Sequence, residues 1–63
     1  MTKDQATSIY VRVESAMRAL SNASALIEPH DEGTVDQEIA ESIEEAQQAT
    51  ATAYAALKNI INA

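Results

Sequence analysis

Glu28-Pro29-His30-Asp31-Glu32-Gly33-Thr34-Val35-Asp36-Gln37 decides the fold, because the only proline and the only glycine of the chain both fall in it. Proline disfavours helical backbone in the residue before it, so a helix entering this stretch must stop by Glu28. Gly33 can take the positive φ at which a turn ends. Beyond it, Thr34 followed three residues later by Gln37 has the form of a capping box, in which the hydroxyl accepts from a free backbone N–H and the glutamine reaches back. The same signal, Thr2 with Gln5, stands at the start of the chain, and Asp4 and Asp36 follow in what would be the first turns, where negative charge complements the helix dipole.

Nothing else in the chain breaks a helix. The prediction is therefore all-α: a helix over residues 3–28, a turn over 29–34 and a helix over 35–62, forming one domain across residues 1–63. In the first segment Ala6, Ile9, Tyr10, Val13, Ala16, Met17, Leu20, Ala23 and Ile27 share one face at 100° per residue. In the second, Ile39, Ile43, Ala46, Thr50, Ala53, Tyr54, Leu57, Ile60 and Ile61 do the same. A short connection obliges the two helices to run antiparallel and side by side. Tyr10 is then expected beside Tyr54, Leu20 beside Ile43, and Arg18 near Glu44 or Glu45. Alanine is abundant, at thirteen residues, and Ala46, Ala49, Ala53 and Ala56 on the second helix invite close approach of two backbones.

The apolar stripes are wider than a two-helix seam needs. A strict seam uses two positions in seven, whereas here about four in seven are apolar or small. Sixty-three residues also bury little surface, and with no cysteine there is no disulfide to compensate. A single histidine gives no His-rich metal site, so oligomerisation remains, and a homodimer forming a four-helix bundle is the economical expectation.

Ten acids against four bases give a formal charge of −6. Phosphate neutralisation by Lys and Arg dominates nucleic-acid affinity, so neither nucleic acid nor an anionic membrane surface is an expected partner. Arg12 and Arg18 lie about 240° apart around a helix and make no basic strip. No apolar run reaches the ~18 residues that span a bilayer, and the polar start from Met1 carries no signal peptide. A complete, short, cytoplasmic product is expected.

No group is placed for catalysis. Ser8, Ser15, Ser21, Ser24 and Ser42 have no base at helical spacing, no Gly-rich loop exists for phosphate, and His30-Asp31-Glu32 are adjacent turn residues that do not converge on one ion. The sequence thus predicts no enzyme, no cofactor, no metal and no small-molecule substrate.

Two surfaces stand out as candidates for binding another protein. Seven acids fall between Asp31 and Glu45, with Lys58 the only base after residue 18. Glu38, Glu41, Glu44 and Glu45 would present an acidic face, either a solubilising surface or a docking surface for a basic partner. Tyr10 and Val11, with Tyr54, form an apolar candidate that would serve either a partner or the dimer core. In length, in its opening Met1-Thr2-Lys3 and in hairpin design the chain resembles the Rop type of plasmid copy-number regulator, a dimeric four-helix bundle. Tyr10, Glu14 and Ala25 stand where that family's RNA-binding face is basic and polar, so the likeness is architectural and carries no RNA function. The expected function is a small protein-binding regulator or adaptor acting as a homodimer. The alternatives are an acidic inhibitor that imitates nucleic acid, of the type carried by phages and mobile elements, and a structural assembly module.

Overall fold

The computed structural model describes residues 1–63 and contains two helices, α1 (Lys3–Ile27) and α2 (Val35–Ile61), packed as a hairpin with no strand. Its extents are 44 × 15 × 13 Å, the length of a 27-residue helix and the thickness of one layer. Each helix stops one residue before its expected end. Glu28 is extended, at φ −100° and ψ 145°, as the residue before a proline should be. At the far end, the Asn62 N–H donates to the Lys58 carbonyl at 3.0 Å and closes α2.

Both threonine caps form, but they differ. Around α1 the box is reciprocal: the Gln5 N–H donates to the Thr2 hydroxyl at 3.1 Å, and the Thr2 N–H donates to the Gln5 side chain at 2.9 Å. Around α2 the Gln37 N–H donates to the Thr34 hydroxyl at 3.2 Å, yet the Gln37 side chain accepts from the Gly33 N–H instead of from Thr34. Gly33, at φ +73°, turns its own N–H onto the start of α2, and Thr34 donates its hydroxyl back to the Asp31 carbonyl at 2.6 Å. The turn is thereby tied to the helix it precedes. A Cβ on Gly33 would meet nothing within 4 Å, so the glycine is required by its backbone angle alone.

The seam between the helices is narrower than the apolar stripes. In α1 it takes Ala6, Tyr10, Val13, Met17, Leu20, Ser24 and Ile27; in α2 it takes Ala40, Ile43, Gln47, Thr50, Tyr54, Leu57 and Ile61, all at alternating steps of three and four. That spacing is the coiled-coil repeat. Only Ala6 (0% exposed) and Leu57 (6%) are fully buried, both toward the end of the rod away from the turn. Midway, polar seam residues satisfy themselves locally, as Thr50 does by donating to the Ala46 and Gln47 carbonyls at 2.8 and 3.0 Å.

Several expected inward residues lie outside this seam. Ile9 (39% exposed) and Ile39 (45%) are open to solvent, as are Ala16 and Ala53. Two helices bury a strip about two positions in seven wide, and residues on the shoulders of a wider stripe stay exposed. The expected approach of Arg18 to Glu44 or Glu45 does not occur. Arg18 pairs with Glu14, one turn back on its own helix, at 3.0 Å. An i,i+4 partner on the same face is reached without spanning the seam.

Candidate interaction surfaces

The aromatic pair comes first, because it is the one long-range polar contact between the helices. Tyr10 and Tyr54 stack with ring centroids 4.6 Å apart and planes inclined by 28°, and their hydroxyls share a hydrogen bond. Both rings are half-buried. Alternation of three and four puts each tyrosine on the seam, where the two meet as expected and clasp the helices within one chain. That shared hydrogen bond, then burial, then the charges Tyr54 and Glu14 would carry, raise the Tyr10 phenol above its ordinary value of 10. Val11 does not join the pair. It stands 57% exposed, about 100° round the helix from Tyr10.

The acidic residues divide between two directions. Glu38, Glu41 and Glu45 recur at steps of three and four and line the outer side of α2, all exposed. At 1.5 Å per residue the steps are about 4.5 and 6 Å of helix rise. None of the three has a cationic partner, since the single ion pair of the molecule is Arg18–Glu14. Glu41 does accept from the Gln37 side-chain amide at 3.2 Å, which fixes its orientation. Glu44 lies off this row and, with Glu41, borders the concavity that His30 also lines.

His30 was missed by sequence reasoning as anything but a solvated turn residue. It folds back half-buried over a polar concavity lined by Ser24, Glu28, Gln37, Ala40, Glu41, Glu44 and Gln47, and its Nδ1 is buried without a hydrogen-bond partner. The sequence signal for this was present in the turn's shortness, which leaves a bulky ring little room to point away from both helices. No group of three or more histidines or carboxylates converges closely enough to hold a metal ion.

On the opposite flank lies a shallow groove of different chemistry, lined by Leu20, Ile39, Ile43 and Ala46 with Glu38 and Ser42 at its edge. Leu26 and Val35, near the turn, are 89% and 68% exposed. No helix is long and apolar enough to cross a membrane. No family model matches the chain, and neither a curated protein nor a solved structure shows a significant match to it.

Proposed function

We propose that this protein is a small, non-enzymatic, cytoplasmic regulator or adaptor that acts as a homodimer by binding another protein with a basic surface. The observation that carries the reading is the row Glu38, Glu41 and Glu45: three exposed carboxylates on one helical face, none neutralised by a neighbour. An exposed row of like charge with no cationic neighbour accelerates encounter with a complementary surface and selects against acidic partners. The non-enzymatic part of the reading is supported by side-chain chemistry: the one histidine makes no hydrogen bond to a serine, and the serines that form hydrogen bonds make them within their own helix, as Ser42 does with the Glu38 carbonyl at 3.0 Å.

The same row supports a second reading, an acidic inhibitor that occupies a nucleic-acid-binding groove, because its steps of about 4.5 and 6 Å approach the spacing of a phosphate backbone. Partners retained from a lysate of the source cells by the wild-type chain separate the possibilities. Glu38→Lys, Glu41→Lys and Glu45→Lys together abolish retention of a basic partner, and a retained nuclease or nucleic-acid-binding protein selects the mimic. Loss of retention with Tyr10→Ala or Val11→Asp, but not with charge reversal, refutes the acidic row. A partner indifferent to both sets leaves a module whose role is assembly alone.

A further inference from the structure

The seam leaves α1 and α2 with two flanks of opposite character. One carries Lys3, Glu14 and Glu28 from α1 and Glu41, Glu44 and Lys58 from α2. The other carries Ile9, Ala16 and Ala23 from α1, level with Ala53, Ala46 and Ile39 from α2 to within about two residues, and Ile60 beyond them at the open end. No charge interrupts this second set, and the Leu20–Ile43 groove opens onto it. Its relief is regular: isoleucine at both poles and alanine at the waist.

Size shows what such a flank lacks. The chain exposes 4641 Å², against about 4,000 Å² for a compact monomer of its mass. The excess, roughly 650 Å², approaches the ~800 Å² that each partner buries in a standard interface. The radius of gyration says the same: 14.4 Å, where a compact chain of this length has about 10.6 Å and one of twice the length about 13.8 Å. The rod is as extended as a compact body with double its residues.

Charge selects the occupant and its direction. Glu28, Asp31, Glu32, Asp36 and Glu38 crowd the turn end, while Lys3, Asp4 and Lys58 stand at the other end and α2 has no acid after Glu45. Two copies laid end for end set each acidic turn beside the end of its neighbour where lysines outnumber the acid. Laid the same way, they would set acid against acid.

Resting on the homodimer reading above, we infer that the second copy packs on the Ile9–Ala16–Ala23 and Ile39–Ala46–Ala53 flank, with the two turns at opposite ends of the bundle. The alanine waists allow the closest approach, and the isoleucines of each pole fill the space where the rods diverge. The polar flanks, with Glu41 and Glu44, then face outward on both sides of the dimer.

Solution mass and intermolecular NOEs test this on the full chain. The wild type is expected at twice 6.8 kDa. Ala46→Glu with Ala53→Glu, which keeps good helix formers, places two carboxylates per chain in the interface and raises the dissociation constant roughly a hundredfold or more. Ala51→Glu with Ala55→Glu, outside the flank, leaves the mass doubled. In a mixture of methyl-labelled and unlabelled wild-type chains, intermolecular NOEs link the pole of Ile9 and Ile60 to that of Ile39, a readout that needs no variant to fold. A single-chain mass at all concentrations overturns the homodimer reading and this inference with it. A dimer broken by the Ala51 and Ala55 changes but not by those at Ala46 and Ala53 overturns the flank alone. NOEs confined to like poles overturn the end-for-end arrangement.

Discussion

Removing one hydroxyl of the Tyr10–Tyr54 clasp destabilises the hairpin, and removing the second adds less than the first did. Tyr10→Phe keeps the ring and its stacking at 4.6 Å but leaves the Tyr54 hydroxyl, half-buried, without its partner. A neutral hydrogen bond contributes about 1 kcal/mol net, and partial access to water lowers the loss to roughly 0.5–1 kcal/mol. Tyr54→Phe is expected to lose the same. The double Phe variant deletes donor and acceptor together, so its loss falls short of the sum by about 0.5 kcal/mol. Tyr10→Leu, which also removes the stack, costs a further ~0.5–1.5 kcal/mol. Urea unfolding followed by circular dichroism, at one fixed chain concentration because association would shift the midpoint, measures all four. Additive losses in the double Phe variant would refute the shared hydrogen bond. Titration supplies a second reading. The Tyr10 phenol is raised in the folded chain, so as pH climbs past 10 the unfolded chain loses its proton first and stability falls with rising pH; below 10 this contribution is fully present. In Tyr54→Phe the first cause of the shift is gone, and Tyr10 ionisation, followed by tyrosinate absorbance, moves back toward 10.

Leu57→Ala, at 6% exposure the best-buried large side chain, loses about 2–4 kcal/mol, and an unchanged urea midpoint refutes its place in the core. Gly33→Ala loses about 1 kcal/mol through backbone strain at φ +73° with no clash, so the D-alanine analogue made by synthesis is neutral or stabilising; equal losses for both enantiomers contradict this account. Arg18→Ala changes the melting free energy by less than ~0.5 kcal/mol, because the guanidinium side chain of its one ion pair is 75% exposed, and a larger loss points to a contact other than Glu14.

Helix boundaries were legible because they are local chemistry: a threonine cap, an acid in the first turn, one proline, one glycine. The tyrosine contact was legible too, since a short turn and two straight helices leave few registers. What escaped the sequence depends on the width of the seam. Ile9, Ile39, Ala16 and Ala53 share a face with the core residues at 100° per residue, and only the packed partner decides which part of that face is inner and which is shoulder. Gln37 shows a finer limit. Its side chain has two backbone donors within reach, Gly33 and Thr34, and the left-handed geometry of Gly33 selects the first. His30 comes to line the polar concavity because the short connection folds back on α2, a path set by the turn's length and not by its residue types.

The distribution of burial along the rod has a mechanical consequence. At one pole the helices are joined covalently by the turn; at the other, Ala6, Leu57 and the two tyrosines fasten them where the chain offers no link. Between these fixings, Ser24, Gln47 and Thr50 interrupt the apolar seam. The hairpin is thus a beam clamped at both ends and most compliant in its middle. Backbone amides around Gln47 and Thr50 then exchange their hydrogens sooner than those around Tyr54, and the two helices bow apart at mid-span before either end lets go.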